Sequence, residues 1–202
     1  MYIDGSIGKY LDDLAARKPA PGGGSAAALE AALGCALMSM VMNFTISNKK
    51  YEASKEKAAA DLKKSEDLRR RVTDLIDADV AAYGKLSEAF KKLGKDSPEL
   101  QILYKEACNV PFEICKISDE ALAICKRLVE YGNKNLVTDT AIAALMLESA
   151  FFSGKFNVYI NLKYIKDEKY LEEVHKLLSG LEETVPKRKE EVLHSSEEVI
   201  LK

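Results

Sequence analysis

The sequence predicts an all-α protein, a helical bundle around a buried central helix rich in small residues. Three observations carry this expectation. From Ser25 to about Phe44 the chain is almost wholly apolar, built mainly of Ala, Leu, Met and Gly, with Glu30 its one charged residue. A helix apolar on every side must be surrounded. The flanking segments place apolar residues at steps of three, four or seven, the spacing of amphipathic helices. No stretch reads as a convincing strand, and no repeat or low-complexity tract appears. With 202 residues the chain can bury a substantial core as one domain, 1–202, charged and helical from about 167 onward.

Ser6 to Arg17 carries Ile7, Tyr10, Leu11 and Leu14 at helical spacing, a short helix laid on the core. Pro19 and Pro21 bar a helix before Gly22–Gly24, whose glycines let the backbone turn. Ser25 is the expected N-cap of the central helix. A long polar helix follows from about Glu52 to Lys92, striped through Leu62, Ser65, Val72, Ile76, Tyr83 and Phe90. Gly94 to Pro98 breaks it, and Ser97 before Pro98 starts the next helix. Pro111 kinks or restarts that helix, which continues to Tyr131 and closes at Gly132. The loop Asn133-Lys134-Asn135 leads to a second apolar helix, about Thr138 to Leu162, capped by Thr138 or Asp139. Asp167 opens a last amphipathic region, with breaks expected at Gly180 and Pro186.

Composition narrows the function classes. With 30 basic and 32 acidic residues and a pI near 5.9, nothing points to nucleic acid. The opening Met-Tyr-Ile-Asp-Gly is not a targeting sequence, so a cytoplasmic protein is expected. Residues 26–44 are about long enough to span a bilayer. The carboxylate of Glu30 and the charged remainder of the chain argue against it, and no membrane partner is expected. Cys35, Cys108, Cys115 and Cys125 have no CxxC pair and no nearby histidine, and read as buried reduced thiols. His175 and His194 are isolated and read as solvated, so no metal set is expected.

Two helices carry polar residues where apolar ones belong. At about 100° per residue Asp79 falls on the apolar stripe, one turn before Tyr83, while Asp77 points to nearly the other side. A carboxylate on a buried face costs several kcal/mol unless paired or neutral; a structural role, as a buried ion pair or a carboxylate bonded to a helix terminus, and a functional one are equally open here. Asp139, Asn157 and Asn161 share a face of the second apolar helix. Asp139 alone is most simply an N-cap, and the two asparagines fit either interhelical bonds or the edge of a planar heterocycle. Gly22-x-Gly24-x-x-Ala27 matches the dinucleotide fingerprint literally, but no strand precedes it, and no Gly-Lys-Ser/Thr follows to make a P-loop. A structural turn and an anion-binding helix start remain.

The run Pro19-Ala-Pro-Gly-Gly-Gly-Ser-Ala-Ala-Ala28, entering an Ala/Gly/Met-rich helix, resembles the signature of the cyclodeaminase/cyclohydrolase family. That family includes the C-terminal half of formiminotransferase-cyclodeaminase and stand-alone bacterial methenyltetrahydrofolate cyclohydrolases. Further matches, in order, are Leu75-Ile-Asp-Ala-Asp-Val-Ala-Ala-Tyr83, Val110-Pro-Phe-Glu-Ile114, Gly132-Asn-Lys-Asn135 with Thr138-Asp139, and Asn157-Val-Tyr-Ile-Asn-Leu162. The likeness covers about residues 6 to 167 and departs at Thr138, where many relatives are expected to carry Ser. Nothing resembles a formiminotransferase domain. The resemblance implies an all-helical homodimer acting on a one-carbon tetrahydrofolate derivative, either closing 5-formimino- to 5,10-methenyltetrahydrofolate with loss of ammonia or hydrating the methenyl bridge. In it Asp79 and Asp139 would be the acid/base and electrostatic residues, with Tyr83 orienting or relaying. Asn157 and Asn161 would read the pterin edge, Gly22, Gly23, Gly24 and Ser25 would hold a glutamyl carboxylate, and Asn135 and Thr138 join the substrate-binding set. No cofactor beyond the folate is called for. The competing expectation is a non-catalytic helical dimer that binds folate or serves assembly.

Overall fold

The computed structural model describes residues 1–93 and 97–202, and no strand occurs among them. Its helices are α1 (Ile7–Ala15), α2 (Gly23–Ser47), α3 (Lys55–Lys92), α4 (Pro98–Tyr131), α5 (Val137–Leu162) and α6 (Glu168–Ile200). Short 3-10 turns at Lys49–Ser54 and Lys134–Leu136 feed α3 and α5. The all-α expectation holds.

Helix α2 is the central post, packed by α3, α4 and α5. Its small residues allow the close approach: Ala28, Ala31, Cys35, Met38 and Met42 are fully buried. At Gly34 a Cβ would fall 2.9 Å from Leu147 Cγ and 3.2 Å from the Ala143 carbonyl, so the α2–α5 crossing requires glycine there. Gly23 lies against Asn157 while Gly34 lies against Leu147, so the two helices run antiparallel. The start of α2 is thereby set beside the end of α5. All four cysteines are free and buried.

Several local expectations are corrected. Ser25 is not the cap: α2 starts three residues earlier, with Gly22 extended (φ −135°, ψ −161°) as the N-cap and no side-chain bond. The Ser25 side chain is engaged elsewhere, as described below. Neither Thr138 nor Asp139 caps α5. The 3-10 turn, capped by the Asn133 side chain accepting from Asn135 N, runs straight into the helix and leaves both residues in its first turn. Helix α4 continues through Pro111, which is buried against α5. Helix α6 continues through Gly180 and Pro186, held on both sides by Lys155–Glu182 (2.5 Å) and by Arg188 on Asp119. Gly132 ends α4 in extended backbone, and its need is space, since a Cβ would meet the Leu128 carbonyl at 2.6 Å. The expected break from Gly94 falls partly on residues 94–96, outside the described residues; Ser97 does cap α4, accepting from Glu99 N.

One side of the bundle is unfinished. Ile7 and Leu11 of α1 are exposed rather than laid on the core, as are Leu33 of α2 and Ile142, Leu145, Phe156 and Ile160 of α5. By length and composition both α2 and the Lys134–Leu162 stretch could cross a bilayer; 61% of the most apolar window is buried in the first and 39% in the second. The uncovered apolar surface therefore belongs mainly to α5.

Candidate functional site

A cleft of about 510 Å³ opens where the start of α2, the C-terminal third of α3, α4 and the end of α5 converge. One end is polar and one aromatic. The polar end is Asp79 with Gly22–Gly24, Tyr83, Asn157 and Asn161. Asp79 Oδ2 accepts from the Ser25 backbone amide at 3.0 Å. Gly24 lies flat against the carboxylate, and a Cβ there would overlap it. The helix N-terminus is thus an anion site, as its dipole and free amides favour, but the anion is the protein's own Asp79. Of the residues expected to hold a glutamyl carboxylate, Ser25 thus has its amide on Asp79, while Gly22, Gly23 and Gly24 line the cleft.

Burial pushes the Asp79 carboxyl above the usual carboxylate range, and the Ser25 amide only partly offsets it. Among the described residues Asp79 makes no ion pair, and no lysine or arginine lines the cleft. Such a carboxyl holds its proton more tightly than an ordinary Asp, and its ionised form favours a cationic ligand. Behind it, Tyr10 of α1 donates its hydroxyl to Ser25 Oγ at 3.2 Å.

Asn157 and Asn161 are half-buried, each donating from Nδ2 to its own helix, to the Ser153 and Asn157 carbonyls at 2.8 Å. The carbonyl oxygen of each has no partner among the described residues. Tyr83 is exposed at the cleft rather than buried on the stripe.

The aromatic end escaped the sequence reading. Tyr104 of α4 stacks on Tyr164 just beyond α5 (5.3 Å, 13°), and Phe90 of α3 meets Tyr104 edge-on (5.6 Å). Phe90 carried a signal, one heptad after Tyr83. The tyrosines carried none, because they come from separate elements.

Asn135, Thr138 and Asp139 lie elsewhere. They sit at the opposite end of α5, with Asp139 about 27 Å along the axis from Asn157. Sharing a face of a helix is not sharing a site. Asp139 is half-buried, with no ion pair or side-chain hydrogen bond among the described residues. No group of three His, Cys, Asp or Glu that could hold a metal occurs among the described residues.

Comparison with known proteins places this geometry. Residues 6–179 match the family model described as formiminotransferase-cyclodeaminase. A methenyltetrahydrofolate cyclohydrolase of Methylorubrum extorquens is 37% identical over 87% of this chain and 88% of its own. Mouse formimidoyltransferase-cyclodeaminase is 33% identical over 89% of this chain, which spans 34% of that protein's length. The crystal structure of a formiminotetrahydrofolate cyclodeaminase from Thermotoga maritima superposes with a TM-score of 0.92 at 32% identity, covering 99% of this chain and 100% of that one. The chain belongs to the formiminotransferase-cyclodeaminase family.

Proposed function

We propose that this protein is a folate one-carbon enzyme working at the carbon between N5 and N10 of tetrahydrofolate, as a methenyltetrahydrofolate cyclohydrolase or a formiminotetrahydrofolate cyclodeaminase. The carrying observation is Asp79, a half-buried carboxyl with no cation beside it, held above the usual carboxylate range and facing a cleft of about 510 Å³. In hydration, the ionised carboxylate takes a proton from water as its oxygen bonds to the methenyl carbon. The same proton then goes to N5 as the C–N5 bond breaks, while the adduct's hydroxyl releases its own proton to solvent and becomes the formyl oxygen, leaving 10-formyltetrahydrofolate. In deamination, N10 attacks the formimino carbon and its proton passes to the formimino nitrogen; the protonated carboxyl gives that nitrogen a second proton, and it leaves as ammonia. The methenyl product is a cation, stabilised by the Asp79 carboxylate. Asn157 and Asn161 offer carbonyl oxygens to a pterin edge, and the Tyr104–Tyr164 pair fits a flat ring. No cofactor beyond the folate is proposed. The cytoplasm is the proposed compartment, which the buried free thiols suit.

A homodimer belongs to this reading. The exposed stripe on α5 runs through Ile142, Leu145, Phe156 and Ile160, with Ser149 near its middle. A two-fold axis there would lay α5 antiparallel on the second copy's α5. It would bring Asn135, Thr138 and Asp139 of one copy beside Asn157 and Asn161 of the other, reuniting a set that one chain splits. Mixing Asp79→Asn with Asp139→Asn protein tests this: partial recovery of activity from two inactive proteins supports the shared site. An Asp139→Asn protein that folds and keeps full turnover removes it. Monomers that float with lipid vesicles would assign the stripe to a membrane instead.

The function itself is tested by following methenyltetrahydrofolate absorbance against its spontaneous decay, with ammonia release from 5-formiminotetrahydrofolate in parallel. Faster methenyl loss without ammonia release marks the cyclohydrolase; methenyl formation with ammonia marks the cyclodeaminase. Tetrahydrofolate binding with neither activity would leave the non-catalytic binder.

A further inference from the structure

We propose that Tyr10 is a positioning residue for Asp79, acting across Ser25 and the first turn of α2; this rests on the reading of Asp79 as the proton carrier. Three helices meet in one chain of contacts. Tyr10 of α1 is 5% exposed, and a buried phenol needs a partner. Its hydroxyl donates to Ser25 Oγ, and the amide of that same serine is the donor that Asp79 of α3 accepts. Gly24, directly beneath, leaves the carboxylate no other floor.

Ser25 is the third residue of α2, whose N-cap Gly22 offers no side-chain bond. The Tyr10 hydroxyl ties the side chain of this residue to α1, and so fixes the first turn of α2, and the Ser25 amide with it, against the Asp79 carboxylate. Removing either end of that tie lets the turn shift away from the carboxylate. The carboxylate then loses part of its one hydrogen-bond donor, and its pKa rises further.

The placement of α1 is firm enough for this task. Tyr2 N and Ile3 N donate to Asp77 at 2.7 and 3.2 Å, two residues from Asp79 on α3. The Tyr2 ring meets the Tyr10 ring edge-on at 5.4 Å. Asp77 thus holds the N-terminal segment on one side of α3 while Asp79 works on the other. The ionisable groups around this chain are Asp77 and Tyr83 from α3, Tyr2 of the N-terminal segment, Lys9 and Asp13 of α1, and Glu30 from α2. From α5 the neighbour is the neutral Asn157.

The test is the pH dependence of kcat/KM for methenyl turnover, in the direction the protein accelerates. In Tyr10→Phe the limb that reports Asp79 moves up by about 0.5–1 pH unit, about a three- to tenfold change at a fixed pH on that limb. The rate on the plateau stays within about threefold. Ser25→Ala, which removes the acceptor and keeps the amide, also moves the limb. The double variant moves it no further than the larger single shift, because the two act through one bond. Tyr2→Phe, which loses only its bond to Asp13, leaves the limb in place. An unmoved limb in Tyr10→Phe, an equal loss at every pH, or additive shifts in the double variant would overturn the proposal. If Tyr10→Phe fails to fold, Ser25→Ala carries the test alone. An Asp79→Asn enzyme with wild-type rate and limb would instead sink the underlying reading of Asp79, which an unmoved Tyr10→Phe limb beside an inactive Asp79→Asn would not.

Discussion

Asp61 and Asp79 occupy the same inward face of α3, eighteen residues and so about five turns apart, and their surroundings are opposite. Asp61 is 5% exposed and fully paired. Arg127 reaches it with Nη2 at 2.7 Å and Nε at 3.1 Å, and the Tyr131 hydroxyl adds a bond at 3.0 Å. Burial pushes its carboxyl up, but those donors and the Arg127 charge hold it below the usual carboxylate range. Asp79 has burial without a cation, a single amide donor, and a carboxyl held above that range. The first carboxylate ties α3 to α4. The second is half-buried without a cation, so its ionised form, the state the proposed reaction uses, works against folding. A buried acid is a functional candidate when its compensation is missing, and a structural one when it is present.

The comparison can be broken or sharpened by substitution. Among substitutions that keep the Asp79 carboxylate, the largest effect on turnover is expected from Gly24→Ala, whose Cβ displaces that carboxylate without touching its chemistry. A misplacement of about 1 Å lowers turnover about 100-fold, read in the methenyl assay with circular dichroism to show a retained fold. Asp61→Asn comes next and acts on stability alone. It leaves Arg127, itself partly exposed, without its charge partner, and costs about 2 kcal/mol, a melting point about 4–8 °C lower. Turnover per folded molecule stays as in the parent; a hundredfold loss there would make Asp61 part of the site and erase the contrast.

Tyr164→Ala removes one face of the stacked pair at the aromatic end. KM rises about tenfold with kcat nearly constant, if the pair binds a ring without touching the reacting carbon. The smallest effect is thermodynamic. Asp79→Asn melts at the same temperature as the parent or slightly higher at neutral pH, by about 1 kcal/mol or less.

The pH dependences have opposite signs. For Asp61 the folded pKa is depressed, so its contribution is present above the unfolded value near 4 and is lost as pH falls through the folded one. For Asp79 the folded pKa is raised, so its contribution is present below the unfolded value and is lost as pH rises through the folded one. Melting curves of Asp61→Asn and Asp79→Asn against pH should therefore diverge from the parent at neutral pH and converge with it in acid.

What the sequence made legible follows from which signals are local. The apolar run of α2 announced its central place, and Asp79 stood out because period alone puts it on the stripe. Asp61 lies on the same stripe and went unread, since nothing near it in sequence reveals Arg127, 66 residues away. The grouping of Asp139 with Asn157 and Asn161 used the angle of the helix; within one chain its rise holds them about 27 Å apart, and only the proposed dimer would bring them together. Ser25 looked like a cap because the rule for caps is local, whereas the hydroxyl that recruits it comes from Tyr10 across the bundle. Pro111, Gly180 and Pro186 looked like breaks, and long-range packing carried the helices through them. The aromatic wall needed three elements to meet, which no single stretch encodes.

The central claim is that the unpaired carboxylate of α3 moves the proton and the paired one does not. Its most direct test compares Asp79→Asn and Asp61→Asn, both verified as folded, in methenyl turnover at neutral pH. The account predicts a loss of about 100- to 10,000-fold for Asp79→Asn, toward the spontaneous rate, and parent-like turnover per folded molecule for Asp61→Asn. An Asp79→Asn protein that keeps its rate would contradict it.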